Sequence, residues 1–474
     1  MDDPARTPAL TRWSALRLRD ALAAGELSAT EATRHFLEVT ERRNPQLGAF
    51  ISVAPEAALA RAAELDEHFA RRGPVGALHG VPLAFKDLVD VAGMRTTFGS
   101  RVAVDAAPAT EDDPLAATVH AAGAVSTGKT TVPEFGLPCH SENLISAPAR
   151  NPLDPERTAG GSTGGGAAAV AAGMLPFAPG NDGGGSVRIP AAACGLVGLK
   201  PGRGAVPTDR QEDSVRNLSV SGPLARTAAD AALLYDAMLG GPRGEGRSLA
   251  RALRAEPDRL RIGVSTASPF SPDLEITLAR PAVDALTAAA AALDRDGHEV
   301  AEAALRLAPG YHADFRAVWT AGLLEAPLPE GAEQRMGPLA AYFLELARRR
   351  PAEELAAAVQ RLTAWAADAR RQLAAHDVVL TPVLAFAPPR IGTFTALPPA
   401  QDYELQCRFT PYTSMVNVMG LPAVAVPVLV DDDGLSWSVQ AIGRPGTEGP
   451  LLALAARMEH LLGRAGLVTG SPPR

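Results

Sequence analysis

Lysine is almost absent from this sequence. Among its 45 basic residues only Lys86, Lys129 and Lys200 are lysines, and the remaining 42 are arginines. Arginine supplies a positive charge wherever one is needed, but it does not lose its proton in a protein, whereas a buried lysine can do so near neutral pH. Each position that keeps a lysine is therefore a candidate proton acceptor.

Other features are also scarce. Cys139, Cys194 and Cys407 are too few and too scattered for a disulfide framework or a zinc site, which favours a reducing compartment. No apolar run reaches the length of a membrane span, and the first residues lack the apolar core of a signal peptide. A net charge of −8 argues against a nucleic-acid surface. We expect a cytoplasmic protein with no nucleic-acid or membrane partner; its oligomeric state stays open, with a homodimer as one option.

The chain is long enough for a large core. Its 474 residues are 46% hydrophobic. Strand patterns, among them 81–86, 260–264 and 423–430, alternate with helical patterns, which predicts an α/β fold with one large mixed sheet. The glycine-rich stretch 240–247 is typical of a linker.

Several helix boundaries can be located from capping signals. Ser28 and Glu31 form a capping box ahead of a helical pattern that we expect to end at Pro45. Asp113, followed by a proline, predicts the start of another helix, which ends before Gly123.

Residues 160–200 contain two glycine clusters, each with a serine. Ser162 lies within Gly-Gly-Ser-Thr-Gly-Gly-Gly, and Ser186 follows three consecutive glycines. Glycines allow a ligand to approach backbone N–H groups without meeting a Cβ. A nucleophilic serine needs an adjacent base, and acyl transfer needs N–H donors directed at the developing oxyanion. Residues 183–186 offer four consecutive donors.

Lys86 is the candidate base. It ends the apolar run Val81-Pro-Leu-Ala-Phe, which is typical of a buried strand. An amine at that position is desolvated, and desolvation lowers its pKa.

Three segments together resemble the amidase signature family of serine hydrolases. They are Gly80-Val-Pro-Leu-Ala-Phe-Lys86-Asp87, Gly160-Gly-Ser162-Thr-Gly-Gly and Asp182-Gly-Gly-Gly-Ser186-Val-Arg188-Ile-Pro190. The resemblance covers most of the chain, in the family's order. It implies a single amidase domain over residues 1–474, with one large mixed, twisted β-sheet covered by helices on both faces. Residues 75–240 would form the core that carries the triad, and residues 250–474, with a mainly helical segment at 313–372, would complete the sheet and the substrate pocket.

The resemblance also implies a catalytic triad. Ser186 would be the nucleophile, Ser162 a bridging serine that follows a cis peptide bond from Gly161, and Lys86 the base that receives the proton through Ser162. No metal or cofactor is implied. The oxyanion hole would consist of the N–H groups of Gly183, Gly184, Gly185 and Ser186.

The sequence departs from the family pattern at two positions. Thr163 stands where a second serine is usual, and Gly183 stands where threonine or isoleucine is usual. Neither change removes a triad member. The string Gly180-Asn-Asp-Gly-Gly-Gly-Ser is most similar to a subgroup that includes the 6-aminohexanoate cyclic-dimer hydrolases, which favours a secondary or cyclic amide as substrate.

Two other motifs include Lys129. Gly123-Ala-Val-Ser-Thr-Gly-Lys-Thr130 matches the P-loop pattern, and Ser126-Thr-Gly-Lys129 matches a motif of penicillin-recognising enzymes. A P-loop requires a strand before its first glycine and a helix directly after it. Here a helix precedes Gly123 and residues 124–131 have a strand pattern, while the partner motifs of the penicillin-recognising enzymes are absent. We reject both motifs, and Lys129 receives no role.

Other polar residues near the glycine clusters have less specific roles. We expect Asp182 and Arg188 to form an ion pair that braces the loop. His140, Glu142 and Asn143 follow the end of a strand, where they either line the substrate pocket or cap a turn. The remaining pocket walls should come largely from residues 310–420.

The sequence thus predicts hydrolysis of a small-molecule carboxylic amide, secondary, cyclic or primary, through an acyl-enzyme. Two alternatives stay open. One is the amidase subunit of a tRNA-dependent amidotransferase, which passes ammonia to a partner. The other is an inactive binding protein on the same scaffold, against which the intact set of Lys86, Ser162 and Ser186 argues.

Overall fold

A computed structural model describes residues 10–206, 214–241, 249, 253, 259–326 and 328–463. Most of the predicted linker at 240–247 lies outside these residues. Strands are numbered along the chain: β1 (Phe50–Val53), β2 (Pro82–Lys86), β3 (Val125–Thr130), β4 (Arg150–Asn151), β5 (Asp154–Thr158), β6 (Phe177–Asp182), β7 (Val197–Lys200), β8 (Val220–Ala225), β9 (Arg261–Val264), β10 (Glu299–Glu302), β11 (Val378–Pro382), β12 (Ala423–Val430) and β13 (Ser436–Ile442).

The helices described with both ends are numbered in the same way. They are α1 (Ala15–Ala23), α2 (Ala29–Leu47), α3 (Pro55–Arg72), α4 (Pro114–Ala121), α5 (Gly164–Ala171), α6 (Arg188–Cys194), α7 (Ala228–Met238), α8 (Arg280–Arg295), α9 (Tyr311–Ala321), α10 (Pro338–Arg349), α11 (Ala352–Leu373), α12 (Pro399–Phe409), α13 (Ser414–Met419) and α14 (Glu448–Leu461). The segment 313–372 is mainly helical, as predicted, because it contains most of α9, all of α10 and all but the last residue of α11.

Eight strands form the large mixed sheet that the alternating pattern predicts. Their spatial order is β10-β9-β11-β13-β12-β7-β8-β6. The first three strands are parallel, and every later neighbour pairs antiparallel. The strand β6, which leads into the second glycine cluster, is therefore at one edge of the sheet.

Helices cover both faces of this sheet. In β12, Val424 and Val426 pack in one apolar cluster with α7, α8 and α14, whereas Ala423 and Ala425 belong to two other clusters. Those two clusters contain α5 and α6 in one case and α9, α10 and α11 in the other. Because successive side chains of a strand point to opposite faces, the two groups of helices lie on opposite sides of the sheet.

Lys86 and Lys129 lie in a second, smaller sheet. Its middle strand β3 is parallel to β2 and antiparallel to β1. The end of β2 reaches the edge of the large sheet, where Lys86 Nζ donates a hydrogen bond to the backbone carbonyl of Asn181 in β6, at 3.2 Å. The alternating sequence pattern predicted the large sheet but did not separate this small sheet from it.

Two predicted helix starts are confirmed. At α2, the N–H of Glu31 donates to Ser28 Oγ at 3.1 Å and the N–H of Ser28 donates to the Glu31 carboxylate at 2.9 Å. At α4, the Asp113 carboxylate accepts from the N–H of Leu115 at 2.8 Å. The rejection of a P-loop is also confirmed, because α4 precedes Gly123 and no α-helix follows β3 directly.

The predicted end of α2 at Pro45 is wrong. The helix continues to Leu47 and ends at Gly48, which has a φ of +58° and donates its N–H to the Asn44 carbonyl at 2.8 Å. Proline lacks the N–H of one helical hydrogen bond and its ring crowds the carbonyl one turn earlier, and this helix extends only two residues beyond Pro45. The side chain of Asn44 also accepts from the N–H of Phe50 at 2.7 Å, which fixes the path of the chain out of the helix.

The helix α5, which follows Ser162, packs directly against backbone. The N–H of Gly165 donates to the Thr131 carbonyl at 3.1 Å. A Cβ at Gly165 would lie 2.4 Å from the carbonyl oxygen of Ala49 and 2.4 Å from the backbone nitrogen of Thr131. At the neighbouring Gly166, the three atoms nearest to an added Cβ all belong to side chains, and the closest lies 3.2 Å away.

We predict that Gly165→Ala destabilises the protein by about 2 kcal/mol or more, because backbone cannot move aside as readily as a side chain and overpacking usually costs about 1–3 kcal/mol. Gly166→Ala is the matched control and should lower the melting temperature less. Thermal unfolding of both variants measures the difference. Equal melting temperatures would contradict the close backbone approach.

Candidate active site

Lys86 is buried at the end of β2, a strand with no exposed residue. Its side chain is 1% exposed, and Nζ donates to Ser162 Oγ at 2.8 Å. Burial lowers the pKa of Lys86 to about 7, and the nearby Asp182 carboxylate opposes that effect only in part. The amine is therefore able to exist in its neutral form close to neutral pH.

Ser162 is held in a backbone turn between β5 and α5. The peptide bond from Gly161 to Ser162 is cis, as the family resemblance implied. The Ser141 hydroxyl donates to the Gly160 carbonyl at 3.0 Å and accepts from the N–H of Gly164 at 3.1 Å. Ser141 thus holds both sides of Ser162 in position.

Ser186 lies beside Ser162 through a backbone contact. The N–H of Thr163 donates to the Ser186 carbonyl at 3.1 Å. The side chain of Ser186 is near the surface of a cleft, with the residue 7% exposed. Among the described residues, no hydrogen bond joins the Ser186 and Ser162 hydroxyls. The structure therefore brings Lys86 and Ser162 into direct contact, with Ser186 adjacent to them.

The four predicted oxyanion donors are not equivalent. The N–H of Gly185 donates to Asp182 Oδ1 at 2.8 Å and is therefore occupied, which corrects the prediction of four free donors. Within the described part of the chain, the N–H groups of Gly183, Gly184 and Ser186 have no protein acceptor. Three donors remain available to a ligand.

Asp182 and Arg188 form the predicted ion pair. Both side chains are completely buried, and the guanidinium contacts the carboxylate through two hydrogen bonds, at 2.9 and 3.0 Å. Arg188 also donates to the side chains of Asn417, at 2.6 Å, and Gln440, at 2.8 Å. The pair therefore connects the glycine loop to two distant elements, α13 and β13.

The Asp182 carboxylate is also a backbone acceptor. Beyond Gly185 it accepts from the N–H groups of Val187, at 3.1 Å, and Arg188, at 3.3 Å. Burial acts to raise the pKa of Asp182, but the charge and hydrogen bonds of Arg188 hold it well below its ordinary value. Asp182 thus remains ionised and fixes the loop at several points.

A cleft opens at Ser186, and we call it the Ser186 cleft. Residues 310–420 supply half of its wall, as expected. The segment 137–139 and Phe270, which sequence reasoning missed, also contribute. The lining residues are Leu137, Pro138, Cys139, Gly184, Ser186, Ile189, Phe270, Phe315, Trp319, Tyr403, Gln406, Cys407, Thr410 and Ser414.

Trp319 explains the departure at Gly183. A Cβ at Gly183 would lie 3.1 Å from the Trp319 ring. The ring also stacks on Phe315, with centroids 5.7 Å apart. The absence of a side chain at Gly183 thus provides space for an aromatic wall over the glycine loop.

The other two lysines are buried as well, so burial alone does not identify the base. Lys129 Nζ lies 3.3 Å from the Asp87 carboxylate and donates to Thr96 Oγ1 at 2.9 Å, in an internal ion pair. Lys200 Nζ donates to the Pro201 carbonyl at 2.8 Å, and burial lowers its pKa to about 7. What distinguishes Lys86 is its contact with Ser162 Oγ.

The three polar residues after β3 take up both predicted roles. Asn143 caps a turn, because its side-chain oxygen accepts from the N–H groups of Ile145, at 2.9 Å, and Ser146, at 2.8 Å. All three residues line a second cavity beside the Ser186 cleft. No group of three or more metal-ligating side chains is found among the described residues. Their helices include none that is both long and apolar enough to cross a membrane.

Comparison with known proteins assigns the family. The family model described as Amidase matches residues 31–452. The protein named "Putative amidase AmiB2" of Mycobacterium tuberculosis is 38% identical over 445 residues, covering 92% of this chain and 94% of that protein. One named "Putative amidase" from Synechocystis sp. is 34% identical over 464 residues, covering 95% and 88%. The chain belongs to the amidase signature family, and it is an amidase, a hydrolase of amide bonds.

Solved structures agree with this assignment. A 6-aminohexanoate cyclic dimer hydrolase complexed with substrate aligns with a TM-score of 0.82 at 28% identity, covering 98% of this chain and 99% of that one. A bacterial aryl acylamidase of the amidase signature family shares the fold, with a TM-score of 0.84 at 24% identity and coverage of 98% and 99%.

We predict that Arg188→Met destabilises the protein by about 3–5 kcal/mol, because it leaves the Asp182 carboxylate buried without a counter-charge. The control is Arg280→Met, which breaks a pair with Asp284 whose arginine side chain is 86% exposed and should cost about 0.5 kcal/mol or less. Denaturant unfolding measures both. The double variant Asp182→Asn/Arg188→Met should lose less stability than Arg188→Met alone. A loss at Arg188 as small as at Arg280 would contradict the role of the buried pair.

Proposed function

We propose that Ser186 attacks the carbonyl carbon of a carboxylic amide while Ser162 passes the Ser186 proton to Lys86. The observation that carries this proposal is the 2.8 Å hydrogen bond between Lys86 Nζ and Ser162 Oγ, at an amine whose pKa burial lowers to about 7. A neutral lysine accepts a proton, and a serine hydroxyl can accept one proton as it donates another.

The relay requires one movement. The Ser186 hydroxyl must turn towards Ser162 Oγ when substrate binds, since the two make no hydrogen bond in the described structure. Catalytic hydrogen bonds are often long or misaligned without substrate and tighten in the complex. The bond from the Thr163 N–H to the Ser186 carbonyl keeps the two serine backbones close enough for this turn.

Backbone N–H groups stabilise the tetrahedral intermediate. The carbonyl oxygen becomes an oxyanion, to which Gly183, Gly184 and Ser186 offer donors. The N–H of Gly185 contributes indirectly, because its bond to Asp182 holds the loop in the conformation that presents the other three.

Collapse of the intermediate breaks the carbon–nitrogen bond. The proton held by Lys86 returns through Ser162 to the departing nitrogen, and the amine or ammonia leaves an ester on Ser186. Water then loses a proton to the same relay and attacks the ester, which releases the carboxylate and restores Ser186.

The cleft favours a secondary or cyclic amide over a minimal primary one. The aromatic side chains of Phe270, Phe315 and Trp319 line it, and such walls bury an apolar substituent on the amide. The likeness to a hydrolase of a cyclic dimer points the same way. No observation favours the amidotransferase alternative.

We predict that a fluorophosphonate probe labels Ser186 in the purified chain and that Ser186→Ala abolishes labelling. The reason is that Ser186 lines the cleft and directly follows a run of glycine N–H donors. Mass spectrometry of the labelled peptide identifies the site. Labelling that persists at full strength in Ser186→Ala would remove the assignment. The unpartnered chain should also hydrolyse amides; failure to do so would favour the amidotransferase alternative.

We predict that Lys86→Arg and Lys86→Ala each lower kcat by roughly a hundredfold or more, the usual loss of general-base assistance. In the wild type, kcat/KM should fall as the pH drops below about 7, because protonation removes the acceptor. Lys129→Arg is the control, since arginine can keep the ion pair with Asp87. If Lys86→Arg kept wild-type turnover and an unchanged pH profile, the charge alone would suffice and the relay would be wrong.

A further inference from the structure

A second cavity adjoins the Ser186 cleft, and we call it the acidic cavity. The two share Leu137 and Pro138 as a common wall. The lining is apolar apart from a few polar residues, and three of these are carboxylic acids. The lining residues are Glu134, Leu137, Pro138, His140, Glu142, Asn143, Leu144, Pro148, Gly337, Pro338, Leu339, Ala340, Thr395, Leu397, Pro399 and Asp402.

The three carboxylates differ in how many of their oxygen atoms accept hydrogen bonds from the protein. Glu134 is fully engaged, because Ser100 Oγ donates to one oxygen at 2.5 Å and the N–H of Gly337 donates to the other at 2.7 Å. Glu142 accepts from the N–H of Gly392 through Oε2 at 2.9 Å, while its buried Oε1 has no hydrogen bond partner. Glu142 therefore retains a free acceptor at the cavity.

Asp402 retains acceptor capacity too. Gln406 Nε2 donates to Asp402 Oδ1 at 2.7 Å, and among the described residues Oδ2 accepts no hydrogen bond. Burial raises the pKa of Asp402 to about 6, with a smaller contribution from the negative charge of Glu142 and an opposing one from the hydrogen bond of Gln406. The two carboxylates thus act on each other across the cavity, with no arginine or lysine among the lining residues.

His140 is a second and independent sign of a ligand. The residue is 2% exposed, its ring stacks on Phe394 with centroids 4.8 Å apart, and neither ring nitrogen has a hydrogen bond partner. Nδ1 lies 3.5 Å from Glu142 Oε1, a contact without a hydrogen bond. Burial lowers the pKa of His140 to about 3, so the ring is neutral and one nitrogen is an acceptor. Buried polar groups in proteins are nearly always paired. The two unpaired nitrogens of His140 therefore indicate a place where a ligand group binds.

The chemistry of the lining selects an organic cation. A metal ion needs several ligands converging on one point, and the described residues hold no such group. An alkylammonium ion instead combines N–H donors for Glu142, Asp402 and His140 with methylene groups for the leucine and proline walls. The nearest arginines that act on these carboxylates, Arg101 on Glu134 and Arg150 on Glu142, do not line the cavity.

One side chain connects the cavity to the Ser186 cleft. Gln406 lines the cleft, donates to Asp402 through Nε2, and accepts from the N–H of Cys139 through Oε1 at 2.9 Å. Leu137 and Pro138 therefore border both spaces, and Gln406 couples the cleft to Asp402 of the acidic cavity.

We propose that the acidic cavity binds an ammonium group of the substrate, so that the enzyme acts on amides carrying a protonated amine some distance from the scissile carbonyl. This inference rests on the proposed function, since it takes Ser186 as the point of attack. It narrows the substrate class from amides in general to cationic amides.

The test compares matched substrates on the wild-type enzyme. One series consists of ω-aminoacyl 4-nitroanilides of increasing chain length, and the other of acyl 4-nitroanilides in which a methyl group replaces the ammonium. A further pair places the ammonium or the methyl group on the amine side of the amide. We expect kcat/KM at the best chain length to favour the ammonium substrate by about tenfold or more, as for hydrogen bonds to a charged group. A ratio near one in both series would overturn the proposal.

Variants of the cavity carboxylates test whether these residues cause the preference for ammonium substrates. Glu142→Gln and Asp402→Asn should each reduce the ratio of ammonium to methyl substrate by about tenfold. Glu404→Gln is the matched control on the same helix α12, since its side chain is 42% exposed and lies outside the cavity lining, and it should keep the wild-type ratio. If Glu142→Gln and Asp402→Asn both keep the wild-type ratio of ammonium to methyl substrate, the acidic cavity is not the cation site, even if the wild type prefers cationic substrates.

A binding measurement separates this inference from the proposed function. In the Ser186→Ala variant, hexylammonium chloride should raise the melting temperature more than hexanol does. When Glu142→Gln is added to that variant, the two compounds should raise the melting temperature equally. If no amide is hydrolysed yet this difference appears, the cation site stands and the proposed function fails. If both substrate series are hydrolysed equally and the difference is absent, the proposed function stands and the cation site fails.

Discussion

The Asp182 carboxylate determines the shape of the loop on which the site is built. Gly183, Gly184 and Gly185 have no side chains with which to hold a conformation, so the loop depends on hydrogen bonds to its backbone. Asp182 accepts from N–H groups within and beyond the loop, and Arg188 ties that carboxylate to Asn417 and Gln440. The N–H groups of Gly183, Gly184 and Ser186 are therefore in position only after chain segments more than two hundred residues apart have assembled.

The buried lysines differ in how far their neighbours compensate for the loss of water around the amine. The pKa of Lys86 drops from 10.5 to about 7, a penalty on the protonated amine on the order of 5 kcal/mol. The hydrogen bonds from Nζ to Ser162 Oγ and to the Asn181 carbonyl therefore do not restore the ordinary pKa of the amine. Lys129 is equally buried but has the Asp87 carboxylate as a partner. The Asp87 carboxylate contacts Lys129 directly, whereas the amine of Lys86 contacts Ser162 Oγ and a backbone carbonyl and has Asp182 only as a nearby charge.

The sequence predicts local features well and distant ones poorly. The caps at Ser28 and Asp113 were predictable because each signal lies within one helical turn. The identity of the site residues came from three segments whose spacing matches a family. The occupied N–H of Gly185 was not predictable, because it depends on loop geometry. Nor was the link from Gln406 to Cys139, since hydrogen bonds between residues so far apart leave no pattern in a single sequence.

The burial of every lysine has a chemical consequence for the folded protein. Lys86, Lys129 and Lys200 are exposed by 1%, 0% and 0% of their surface, so all exposed basic side chains are guanidinium or imidazole groups. Aldehydes, isocyanates and activated esters, which modify primary amines, find no lysine to react with while the chain is folded. Unfolding exposes all three lysines, so their acylation reports loss of the native structure.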